Sequence, residues 1–190
     1  MNARPVAVYD ANVLYPAQLR DLLLRLVMED LVRPHWSDDI HDEWTRNVHS
    51  DRPNVTWDDL EYTRGEMDRA FSDARVEGHQ GRLESLSLPD PTDRHVLAVA
   101  IHVGANYIVT FNLDDFPAAQ LEPHGVKAIH PDGFASLLMD RDREEFIEAA
   151  AGHRGSLRKP PLSVNEYLDV LRNSGLEVTT QRLEEHRIRL

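Results

Sequence analysis

Four acidic residues fall where a folded chain has to account for them. Asp10 ends the apolar run of "VAVYDANVL", and Glu43 lies in "SDDIHDEW", on a helix whose polar side also carries Asp39 and Arg46. Asp93 follows Asp90 in "DPTDRHVLAVAIHV", and Asp115 comes shortly after the apolar "NYIVTF", with Asn112 beside it. A carboxylate at the end of a buried strand is costly unless something cationic or hydrogen-bonding meets it. For Asp10 a core arginine, a backbone cap and a metal ion are all open. Oxygen-only donors with open positions suit Mg²⁺ or Mn²⁺. The chemistry such a site serves best is in-line displacement at phosphate, where the ion activates water and stabilises the attacked and leaving oxygens.

Taken singly, these residues have plainer readings. Asp93 is then a helix N-terminal acid, Glu43 a solvated side chain and Asp115 a turn residue. Asn12 reads as a group that orients a ligand or a substrate phosphate. Arg46 and Arg94 share helices with the acids and could steer a phosphate backbone, with an ion pair to a neighbouring acid as the plainer role. Ten histidines invite a zinc reading, but His95 and His102 are seven residues apart on one helix, too far for an i,i+4 ligand pair. They read as surface or packing residues.

The elements that must position these groups follow from periodicity and caps. Residues 6–9 read as a buried strand, and "PAQLRDLLLRLVMED" places Leu19, Leu22, Leu23, Leu26 and Val27 at helical spacing. "LVRP" is a turn or brief strand. Ser37 caps a helix with Asp38 and Asp39 in its first turn, and Thr56 opens another over "WDDLEYTRGEMDRAFSDARVEG". "RLESLSL" reads as a weak strand. Pro91 and Thr92 start a helix that Gly104 ends; "NYIVTF" and "VKAIH" are strands, and Asp132 caps "GFASLLMD". This alternation predicts an α/β domain with a parallel sheet and helices on both sides. Groups after strand C-termini converge at the switch point of such a sheet, which brings Asp10 towards Asp115 with Asp93 entering beside them.

The character changes near residue 152. The expected organisation is a main domain over 1–150, a linker over 151–162 that includes basic Arg154, Arg158 and Lys159, and a helical appendage over 163–190. Ser163 and Glu166 form a capping-box pattern. Val164, Tyr167, Leu168 and Leu171 make an apolar stripe that must be covered, by the rest of the chain or by a partner chain.

With 190 residues, 41% of them hydrophobic and 28% charged, the chain has the composition of a globular domain and not of a disordered one. The net charge of −12 argues against a general nucleic-acid binder with a basic face. Zero cysteines exclude disulfides and thiolate metal sites and fit a reducing cytoplasm. Neither an export signal nor an apolar stretch of about 18 residues is expected.

The stretches "VYDANVL", "SDDIHDEW", "DPTDRHVLAVAIHVGANYIVTFNLDDFP" and "VKAIHPDGF" resemble a PIN domain, the metal-dependent ribonuclease fold shared by VapC-type toxins. The resemblance runs from residue 4 to about 140. It implies a three-layer α/β/α fold with a central parallel sheet, and an endoribonuclease using Mg²⁺ or Mn²⁺. Asp10, Glu43 and Asp93 match the family's core acids. Asp115 or Asn112 fills the fourth place, and Asp90 supports them. It further implies RNA as substrate, a homodimer, and the toxin role in a type II toxin–antitoxin pair silenced by a small antitoxin. The rival readings are a PIN-fold module that has lost catalysis and only binds RNA or protein, and a housekeeping RNA-processing nuclease.

Overall fold

A computed structural model describes residues 3–158 and 160–190, so Lys159 of the expected basic linker lies outside the described residues. In chain order the first half carries β1 (Val6–Tyr9), α1 (Ala11–Leu14), α2 (Ala17–Met28), β2 (Arg33–His35), α3 (Asp38–Asp51), α4 (Trp57–Ala70) and α5 (Arg94–Val103). The second half carries β3 (Tyr107–Val109), α6 (Ala118–Leu121), β4 (Lys127–Ile129), α7 (Pro131–Arg141), α8 (Arg143–Ser156), α9 (Val164–Asn173) and α10 (Glu177–Glu184). Among the described residues no helix is long and apolar enough to cross a membrane.

The chain divides into two compact units, one of Pro5–Tyr15 and Arg33–Ile129, the other of Pro16–Val32 and His130–Leu190. The first holds the sheet, four parallel strands in the order β2-β1-β3-β4. The α/β class and the parallel sheet are as expected. Ala7, Val8 and Tyr9 of inner strand β1 are fully buried, as a continuous apolar run in a parallel sheet requires. Pro34, which cannot donate to a ladder on both sides, lies in edge strand β2. Helix α5 packs against β1, β2 and β3 through Val96, Leu97, Val99 and Ala100, all buried, and α3 packs against α5. Gly104 ends α5 at φ 63°, the left-handed position that glycine takes without strain.

The second unit is helical. Helix α2 contacts α8 and α9, and α10 contacts α7 and α9. The stripe on α9 is covered there: Tyr167, Leu168 and Leu171 are buried. The expected capping box at its start is present, with Ser163 Oγ accepting from Glu166 N and the Glu166 carboxylate accepting from Ser163 N.

Four expected local features differ. "RLESLSL" is no strand; residues 80–85 form a 3₁₀ turn whose polar groups close locally, Leu86 N on Leu83 O at 3.3 Å and Ser85 Oγ on Arg82 O at 2.7 Å. Helix α4 stops at Ala70, where Phe71 leaves helical geometry at φ −131°, ψ 63°. His130, not Asp132, caps α7, its Nδ1 accepting from Asp132 N at 3.2 Å. Residues 151–156 of the expected linker continue α8, because Phe146, Ile147, Ala149, Ala150 and His153 give that helix a buried face through its last turn.

Candidate functional site

Asp10 begins where β1 ends. Its backbone N–H still donates to Val109 O of the neighbouring strand, but the chain then turns into α1 and the carboxylate becomes that helix's N-cap. Oδ1 accepts from Ala11 N at 2.7 Å. Oδ2 accepts from Asn12 Nδ2 at 2.8 Å and from Thr110 Oγ1 at 2.7 Å. Asn12 also donates to Thr110 Oγ1 and accepts from Phe111 N through its Oδ1, and Asn112 N donates to Thr110 Oγ1. Two short polar side chains thus fasten the loop after β3 to the end of β1.

These donors do not fully compensate Asp10. It is 4% exposed, and burial pushes its carboxyl up to about 6; Glu43 adds repulsion, while the bonds from Thr110 and Ala11 and the nearby His95 pull the other way. Asp93, at the entry of α5, is pushed up to about 7, first by burial and then by Asp10, Asp90, Asp115 and Glu43. The backbone thus brings Asp10, Glu43 and Asp115, from the end of β1, the middle of α3 and the β3 loop, into electrostatic reach of Asp93 at the start of α5, and Glu43 into reach of Asp10. Left to themselves, Asp10 and Asp93 hold a proton near neutral pH more readily than free carboxyls do. A cation removes that cost.

The neighbouring candidates separate. Asp90 is exposed and is held below the usual carboxylate range by Thr92, whose Oγ1 and N donate to it. Asn112 is exposed, whereas Asp115 is partly buried and presses on Asp93. Arg94 turns two of its donors to backbone, Nε to Pro91 O at 2.9 Å and Nη1 to Leu83 O at 3.5 Å, which ties down the loop ahead of Asp93. Arg46 is exposed on α3.

Two residues beyond the expected acids matter here. Thr110 donates to Asp10 from the position just after β3. His95, expected at the surface or in packing, stands 3.3 Å from Glu43 through Nε2, its side chain 14% exposed. Burial disfavours its charged form, yet the bond and charge of Glu43, with Asp39 and Asp10 behind it, outweigh that and hold it above the ordinary histidine value. The available signal for His95 was its place two residues after Asp93, on the first turn of the same helix.

The fit of a divalent ion rests on this donor set. Among the described residues no three or more His, Cys, Asp or Glu side chains stand grouped so as to hold a metal ion between them. Mg²⁺ binds through one or two carboxylates and keeps several waters. The hard carboxylate oxygens of Asp10 and Asp93, whose protonation is pushed towards neutrality, are of the kind such a hydrated ion takes. They do not form a closed cage.

Residues 6–114, more than half of the chain, match the PIN domain family. The chain belongs to the PIN domain family. All four acids but Asp115 fall inside the matched PIN region, and Asp115 follows it directly. Residues 131–185, from α7 to α10, match a second family, described as VapC50 C-terminal domain. This PIN protein is also 39% identical over 79 residues to a protein of Mycobacterium tuberculosis (strain ATCC 25618 / H37Rv) named "Putative ribonuclease VapC50". The similarity covers 42% of this chain and 47% of that relative, so the chain matches about half of the relative's length. No solved structure matches.

Proposed function

We propose that the chain is a metal-dependent endoribonuclease that hydrolyses RNA phosphodiesters, with Asp10, Glu43, Asp93 and Asp115 around Mg²⁺ or Mn²⁺. The observation that carries the reading is the placing of Asp93, whose carboxyl is pushed up to about 7 by burial first and then by the charges of Asp10, Asp90, Asp115 and Glu43. A fold uses such mutual repulsion where a cation is to be held. Membership of the PIN family and the ribonuclease name of the relative support the substrate class.

When bound, the ion would act as a Lewis acid on phosphate oxygens and activate the attacking water. The chain's own part is positional. Asn12 and Thr110 fix the Asp10 carboxylate, α3 and α5 bring Glu43 and Asp93, and the loop after β3 brings Asp115. Asn112 and Arg46, both exposed, would meet substrate phosphate. The match of residues 131–185 to a VapC50 C-terminal domain supports a VapC-type protein, and the proposal extends to the toxin role in a toxin–antitoxin pair, with a small antitoxin as partner and a homodimer as the working state.

Incubation of the protein with total RNA in Mn²⁺ tests this reading. Cleavage that stops with chelator and in Asp10→Asn is expected. Cleavage of equal rate in that variant removes Asp10 from the site.

A further inference from the structure

The acids differ in what holds them. Asp10 is fixed by three donors, whereas Glu43 projects from the middle of α3 on a side chain with three rotatable bonds and is 37% exposed. Freezing such a side chain costs conformational entropy. A donor mounted on a rigid neighbouring element lowers the entropy still to be lost when a ligand binds. His95 is that donor in this protein. It sits on α5, which packs on both the sheet and α3, and its Nε2 is 3.3 Å from Glu43 Oε2. The ring's other nitrogen, Nδ1, is buried with no hydrogen-bond partner among the described residues. The imidazole is therefore committed to Glu43 through one nitrogen.

We infer that His95 is a positioning residue, whose Nε2–H holds Oε2 of Glu43 so that the carboxylate keeps its second oxygen for a divalent cation. The inference rests on the reading of the acids as a cation site. Groups that orient a ligand from behind are worth about 10- to 100-fold in metal affinity. An internal control lies one turn earlier on α3, where His79 Nε2 is 3.2 Å from Asp39 Oδ2 in a pair of the same kind, but Asp39 is not among the proposed ligands.

The test is Mn²⁺ affinity by calorimetry on the full chain. His95→Leu, which fills the space without a donor, should weaken Mn²⁺ binding by about tenfold, and His95→Gln, whose amide donates, should restore most of it. In a Glu43→Gln background His95→Leu should add nothing, and His79→Leu should bind as wild type does. If His95→Leu fails to fold, His95→Met against His95→Gln gives the same contrast of donor absent and donor present. Wild-type affinity in His95→Leu, or an equal loss with and without Glu43, overturns the inference while leaving the cation site standing. A wild-type protein without saturable Mn²⁺ binding overturns the cation site itself, and the inference with it.

Discussion

Asp10 and Asp132 are both aspartates with little exposure, 4% and 8%, one in each unit of the chain. They are met in opposite ways. The carboxylate of Asp132, in the first turn of α7, accepts from two successive backbone N–H groups at the start of α10, Val178 at 2.8 Å and Thr179 at 2.9 Å. Helix α10 has Leu176 at its N-cap, which offers no side-chain acceptor, so another helix supplies the cap it lacks. Asp10 also caps a helix, but it shares its surroundings with Glu43 and Asp93, and its carboxyl is pushed up to about 6. Both acids are buried and hydrogen-bonded. The difference lies in the neighbours: Asp132 meets two N–H donors of another helix, whereas Asp10 has the repelling carboxylate of Glu43 beside its donors.

Removing Asp132 should do the most damage to stability. Asp132→Ala leaves two N–H groups of α10 without their acceptor and should cost about 3 kcal/mol, read by urea unfolding at constant pH. Wild-type stability in that variant would put the cap of α10 elsewhere and dissolve the contrast with Asp10.

Next in size is a pH effect confined to the helical unit. His153 of α8 is buried, its Nδ1 3.1 Å from the Tyr167 hydroxyl of α9, with Arg25 of α2 nearby. Burial, with the charge of Arg25, pushes the imidazole down to about 4. The unfolded chain takes up this proton near pH 6.5 and the folded chain resists it. The stability His153 supports is therefore full above about 6.5 and is lost as pH falls towards 4. Between pH 7.5 and 5 the loss should be about 2 kcal/mol, and His153→Phe should flatten that part of the urea-measured pH profile. An unchanged slope would show that His153 is not held neutral.

Asp10→Asn should behave unlike Asp132→Ala. With chelator present it should leave stability within about 1 kcal/mol of wild type, because the relief of repulsion with Glu43 and Asp93, with Ala11 N keeping its acceptor, offsets the loss of the Oδ2 acceptor to Asn12 and Thr110. A loss as large as that of Asp132→Ala would make Asp10 a structural acid. The smallest effect expected concerns the fourth position. Asp115→Ala should weaken Mn²⁺ binding several-fold more than Asn112→Ala, since Asp115 presses on Asp93 and Asn112 is exposed. The reverse order in a Mn²⁺ titration would move the role to Asn112.

How much of this was legible in the sequence depends on the range of the interaction. The strand before Asp10, the caps at Ser37, Thr56 and Ser163 and the end of α5 at Gly104 are written within a few residues of one another, and the sequence shows them. Of the acids that the sequence picks out, Asp93 feels the charges of Asp10, Glu43 and Asp115 in the fold. What depends on contacts far along the chain was not readable. The cap that Asp132 gives to α10 joins residues 46 and 47 positions apart, so locally Asp132 looks like the cap of its own helix. His95 meets Glu43 across two helices, and spacing along α5 alone makes it a packing residue. The linker failed for a related reason. Gly152 and Gly155 suggest a break, but the buried face of α8, Phe146 to His153, carries the helix past them.

The most direct test of the cation site is a Mn²⁺ titration by calorimetry of the wild-type chain beside Asp10→Asn/Asp93→Asn, both shown to be folded by their unfolding curves. Saturable binding in the wild type and none in the double variant is the result expected of a carboxylate cluster held for a metal. Equal binding in the two proteins, or none in either, would contradict it.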